Sequence, residues 1–155
     1  MSLERSSQSL TNGLVTVKVA DQRFAVPLER VSHVFVPDRL STVPLAPPEI
    51  AGLLNLRGRI VTAFDLRMRF GLPTRAPDDP MVALGVEDGG ELYGLIADRA
   101  GEAIWTAPSA VEPVPTNLDA RWAGLCAGVC RLDDGLLMVL DVDRVLDFNH
   151  SSIAA

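Results

Sequence analysis

The chain has 155 residues, 48% of them apolar, with 14 Lys and Arg against 20 Asp and Glu for a net charge of −6. That length suits one domain, or two intimately packed halves, with a real core. The acidic balance disfavours nucleic acid, whose phosphates would be repelled over most of the surface. No apolar run is long enough to cross a bilayer, so no direct membrane insertion is expected. The polar first dozen residues lack a signal-peptide core, which points to the cytoplasm.

In chain order, residues 1–12 read as a disordered polar tail. Leu14 to Val19 alternates with Thr16 and Lys18, the period of a half-buried strand. Ala20 to Arg23 turns into a second strand, Phe24 to Pro27. Leu28, Val31, Val34 and Val36 continue the apolar pattern until Pro37-Asp38. Pro44, Pro47 and Pro48 keep the next stretch extended or turned and rule out a long helix.

The organising stretch runs from Pro48 to Leu72. Ile50–Leu54 and Ile60–Phe64 are apolar runs flanking a turn at Asn55-Leu56-Arg57-Gly58-Arg59. Gly58 supplies the positive φ of a tight reversal, and Asn55 tolerates the same region. Asp65 is expected to cap a short helix, Leu66 to Phe70, closed by Gly71 and stopped by Pro73. The result is a rigid cationic tip. Arg57, Arg59, Arg67 and Arg69 could together form a local basic patch.

A proline-bearing linker at 73–80 leads to a second half. Met81–Val86 and Leu92–Ala97 flank Glu87-Asp88-Gly89-Gly90 as a hairpin. Arg99–Thr106 and Trp122–Arg131 read as strands. Leu136–Leu140 pairs with the latter across Asp133-Asp134-Gly135, and Val142–Phe148 closes as a helix capped by Asp141. The central unit recurs 76 positions on: Ala51-Gly52-Leu53 becomes Ala127-Gly128-Val129, and Phe64-Asp65-Leu66 becomes Leu140-Asp141-Val142. A looser echo sets Val15, Val17, Val19 and Asp21 against Val82, Leu84, Val86 and Asp88, each followed by an aromatic, Phe24 or Tyr93. The tips differ between copies, which places separate jobs on the loops. Many short strands with turn chemistry between them make the chain nearly all-β.

Catalysis finds little support. Cys126 and Cys130 read as small buried residues on one face of a strand, too far apart to bridge. His33 and His150 are isolated, so no metal site is expected, and no cofactor. The paired Ala63-Phe64-Asp65 and Val139-Leu140-Asp141 invite comparison with aspartic proteases, but those need a small hydroxyl residue and Gly after each Asp. Here Leu66-Arg67 and Val142-Asp143 follow, and helix capping explains both carboxylates.

Ile50-Ala51-Gly52, Asn55-Leu56-Arg57-Gly58, and Ile60-Val61 through Asp65-Leu66-Arg67 and Phe70-Gly71 resemble the core motif of the CheW-like family of bacterial chemosensory adaptors. The likeness extends from Phe24–Leu28 and Val31 to Gly94–Asp98 and Leu136–Leu146, within a single domain at 13–148 and a short tail at 149–155. The resemblance implies a mainly β fold of two pseudo-repeated five-stranded SH3-like β-barrel subdomains sharing a core, with short helices. It also implies a non-catalytic scaffold that binds the regulatory domain of the histidine kinase CheA and the cytoplasmic tips of methyl-accepting chemoreceptors. By the same resemblance Asn55, Arg57 and Gly58 fall on the functional tip, with Val31 and Gly52 on nearby contact positions. The chain departs from the family pattern at His33, where an acidic residue is common, and at Thr62-Ala63-Phe64, where Pro-Val is common. The competing readings are an adaptor of a non-flagellar chemosensory pathway and a small β-barrel binding a ligand or oligonucleotide at its rim. One Tyr and two Trp give the last of these little to stack on.

Overall fold

The computed structural model describes residues 12–147, save 38, 39, 77 and 134. Strand β1 (Asn12–Val19) and strand β2 (Gln22–Pro27) form the first hairpin. A 3-10 turn leads to β3 (Val31–Phe35), and β4 (Ile50–Leu56) with β5 (Arg59–Asp65) forms the second hairpin. Helix α1 (Leu66–Arg69) precedes β6 (Val82–Asp88), β7 (Glu91–Ala97), β8 (Arg99–Thr106) and the short β9 (Val111–Glu112). Helix α2 (Ala120–Ala123), strands β10 (Cys126–Leu132) and β11 (Gly135–Leu140), and helix α3 (Val142–Leu146) follow.

Among the described residues these strands make two sheets, ordered β8-β1-β2-β11-β10-β9 and β3-β6-β7-β5-β4. Each sheet combines a hairpin from one half of the chain with a hairpin from the other. The joins are parallel, β11 beside β2 and β5 beside β7. A tight hairpin turn cannot make a parallel pair, so both joins depend on long-range packing. The fold is mainly β with two sheets and short helices, as the sequence implied.

The repeat survives in detail. Shifting β4 and β5 by 76 positions gives the bounds of β10 and, but for one residue at its end, those of β11. Both hairpins carry an irregularity at the same point, Ile50/Gly52 and Cys126/Gly128. Outside it Ser41 bridges Leu53, as Glu112 of β9 pairs with Val129. The looser echo has a different register from the one read in the sequence. Phe24 lies beside Met138 and Tyr93 beside Thr62, which sets Val17, not Val19, against Val86. The error is two residues, and a period of two cannot reveal it.

Alternation along the strands divides the core. Val17, Phe24, Phe64, Leu84, Leu95 and Met138 meet in a large cluster between the sheets. The opposite faces close a smaller cluster in each sheet, around Leu54, Val61 and Ile96 in one and Leu14, Leu137 and Val139 in the other. The two cysteines do not share a face. The irregularity at Gly128 turns Cys126 into the large cluster and Cys130 into a small one, and both are free thiols.

Trp122 was expected in a strand but lies in α2, a helix of four residues too short to show a helical period. Its indole Nε1 donates to the carbonyl of Phe70 at 2.8 Å, closing α1. Strand β1 begins at Asn12, one residue inside the expected tail. Residues 1–11, Asp134, Phe148, His150 and the 149–155 tail lie outside the described residues.

Candidate functional site

The β4–β5 hairpin ends in a two-residue turn, with Leu56 paired to Arg59. Arg57 has φ 52° and Gly58 has φ 88°. Two consecutive positive φ values match the right-handed twist of the flanking strands, the geometry that favours Asn-Gly in such turns. Asn55 does not adopt that region. It stays in β4, and its Oδ1 accepts the N–H of Gly58 at 2.9 Å. The turn is therefore locked by a side chain from its own strand. Arg57 occupies a conformation that non-glycine residues rarely enter. Its side chain is exposed, with no hydrogen-bond or ion-pair partner among the described residues.

The neighbouring charges leave Arg57 alone. Arg59 pairs with Glu87 at 3.7 Å. Arg30 donates to the Glu87 carbonyl at 3.3 Å and reaches Asp143 at 2.9 Å. Val31 follows Arg30 and pairs with Val86, so it lies toward the tip end of the sheet, half-buried against the large cluster. His33 is farther along β3, opposite Gly85, with Nδ1 3.1 Å from Ser32 Oγ. Gly52 sits at the far end of the hairpin from the tip. A Cβ there would strike the carbonyl oxygen of Ser41, so this glycine permits the Ser41–Leu53 bridge. The structure brings Asn55, Arg57 and Gly58 together in one turn; Val31 and His33 lie on β3, at the opposite edge of the same sheet from β4, and Gly52 lies at the far end of the hairpin.

Comparison with known proteins follows the same outline. The CheW-like domain family matches residues 13–149. The chain belongs to the CheW-like family. It is 28% identical to the chemotaxis protein CheW of Helicobacter pylori over 128 residues, 83% of this chain and 77% of that protein. It is 25% identical to the Bacillus subtilis chemotaxis protein CheW over 141 residues, 91% of this chain and 90% of the relative. The crystal structure of the scaffolding protein TtCheW from Thermoanaerobacter tengcongensis superposes with a TM-score of 0.78 at 27% identity, covering 89% of this chain and 94% of that one.

Within this CheW-like fold the four arginines of the central stretch do not form one patch. Arg67 is bound to Asp98, with Nε–Oδ1 3.0 Å and Nη2–Oδ2 2.6 Å, and its Nη1 also reaches the carbonyls of Pro73 and Thr74. Arg75 joins Asp98 at 2.8 Å to Asp65 at 3.1 Å. Burial alone would raise the Asp98 pKa. Hydrogen bonds from Arg67, Arg75 and the Ala20 N–H outweigh it and hold the carboxyl below its ordinary value. Asp98 thus fastens the end of β7 to the helix start, the linker and the β1–β2 turn. Sequence reading placed Asp98 in the family likeness without a role and missed Arg75, since no local pattern links the two.

Arg69 is buried, its Nε donating to the carbonyl of Val145 and its Nη2 to that of Arg144, both at 2.9 Å. Burial lowers its pKa. The cationic surface at the tip is reduced to Arg57 and the paired Arg59. Among the described residues no group of three His, Cys, Asp or Glu side chains could hold a metal, and no helix is long and apolar enough to cross a membrane.

Proposed function

We propose that this chain is a non-catalytic scaffold coupling chemoreceptors to the histidine kinase CheA, working in the cytoplasm at receptor arrays. Membership of the CheW-like family supports the adaptor role. The observation that carries the site assignment is Arg57: an exposed, unpaired guanidinium held at φ 52° by a turn that Asn55 locks. Strained, exposed residues on a rigid scaffold are a mark of function. A guanidinium can make forked hydrogen bonds to carboxylates or helix-end carbonyls of a partner. Asn55 and Gly58 then act as positioning residues and Gly52 shapes the base of the hairpin, while Val31 and His33 belong to a separate contact on β3, at the other edge of the sheet.

The test is a calorimetric titration with the regulatory domain of the chemotaxis kinase from the same organism. Saturable binding near 1:1 supports the coupling role. Absence of binding to any such domain of that organism overturns it.

A further inference from the structure

An acidic chain places three cations side by side at one end of the sheet that does not carry the Arg57 tip. Arg99 of β8 lies opposite Lys18 of β1, and Lys18 lies opposite Arg23 of β2. Like charges in direct cross-strand register destabilise a sheet, so folding does not favour the Lys18–Arg99 pair. All three residues are exposed, and the side chains of Lys18 and Arg99 have no ion-pair partner among the described residues.

The row borders an open groove of about 390 Å³ along β1 and β8, with Ala100 and Ile104 giving its apolar lining. Among the described residues Glu102 is the one carboxylate lining it. The two acids that share a second recess with Lys18 and Arg99 are engaged: Asp79 Oδ2 accepts the Ala76 N–H at 2.9 Å, and both Asp98 oxygens are held by Arg67 and Arg75. A register shift opens the groove opposite Thr16, whose Oγ1 donates to the Glu102 carbonyl at 2.8 Å. Gly101 sits where a Cβ would strike that same Oγ1. Among the described residues β8 is the outer strand of its sheet, paired with β1 alone.

We propose that this groove receives an extended acidic segment of a protein partner, its carboxylates on the Arg99–Lys18–Arg23 row and its apolar side chains along β1 and β8. A lone inorganic anion would use the cations and leave the apolar lining unused. Opposite charge steers such a partner to an otherwise acidic surface. The surface lies on a different sheet from the Arg57 tip, and its occupancy does not depend on kinase or receptor binding there.

The experiment is fluorescence anisotropy of the full chain with a labelled peptide carrying a Glu-rich block followed by a Leu-rich block, against the same peptide with Gln for Glu. The proposal expects saturable binding of the Glu peptide alone, weakened by added salt. A K18E/R99E double variant should lose at least about tenfold in affinity. The milder K18Q/R99Q variant, expected to keep the wild-type melting midpoint, should lose severalfold and reads the same site if charge reversal perturbs folding. Equal binding of the Gln peptide, unchanged affinity in both variants, or no binding at all would overturn it. So would displacement of the peptide by inorganic phosphate at equal concentration, which would mark a small-anion site instead.

Discussion

Arg69 donates its Nε to the carbonyl of Val145 at 2.9 Å, and these two residues hold the same place in the two copies of the repeated unit, 76 positions apart. The copies have diverged so that one closes the other. In α1 the position carries a guanidinium that reaches across to the end of α3. In α3 it carries a core valine, 0% exposed, that presents only its carbonyl. The duplicated halves are therefore joined by a polar contact as well as by the exchanged strands.

Removing that guanidinium should be costly. Arg69→Ala removes the guanidinium donor from the Val145 carbonyl, leaves the Arg144 carbonyl with the Asp147 N–H at 3.2 Å, and opens a cavity beneath α3. A loss of about 2–3 kcal/mol is expected from urea unfolding, the range for buried hydrogen bonds to a charged group. Arg69→Lys should recover less than half of it, since one ammonium cannot follow the guanidinium fork.

Asp98 gives the fold an acid limit. Its folded pKa lies below the unfolded value, so its contribution is present above that unfolded value and fades as pH falls through the folded one. Asp98→Asn should be destabilised by roughly 3 kcal/mol at neutral pH, because Arg67 and Arg75 lose their shared partner. The gap between variant and wild type should narrow below about pH 4, where the unfolded carboxyl protonates. Thermal melts across pH would show this, and a gap constant with pH would contradict the assignment.

The glycines of the hairpin should separate by cause. Gly52→Ala meets backbone at Ser41, whereas a Cβ on Gly58 meets nothing within 4 Å and carries only the strain of φ 88°. Expected losses are about 3 and 1 kcal/mol respectively. Asn55→Ala, which removes the acceptor for Gly58, should cost about 1 kcal/mol.

Burial should silence both thiols. Cys126 is pushed up to about 11 by desolvation, and Cys126 and Cys130 are each 2% exposed. A thiol reagent at pH 8 should titrate neither quickly in the native chain and both in denaturant. Rapid reaction of the native protein would show that the β10 hairpin opens readily.

Much of this was legible in the sequence because it is local. The β4–β5 hairpin, its aspartate-capped helix and their repeat at β10–β11 follow from apolar runs, a glycine turn and capping chemistry. Asp65 and Asp141 do accept helix N–H groups, from Arg67 and Arg144. What escaped notice is non-local or hidden by parity. The parallel pairing of β5 with β7 leaves no trace in either strand. Asp98 and Arg67 lie 31 residues apart, and a charged side chain does not reveal from spacing whether it is solvated or paired. One irregularity beside Gly128 was enough to turn two evenly spaced cysteines to opposite faces.

The central claim is that Arg57 is present for a partner and not for the fold. Its turn geometry favours asparagine, so Arg57→Asn separates the two roles in one protein. Melting midpoint and affinity for the kinase regulatory domain and for a receptor tip should be measured side by side. The account predicts an unchanged or slightly higher midpoint, with affinity for at least one partner reduced tenfold or more. Full affinity for both in the folded variant would contradict it.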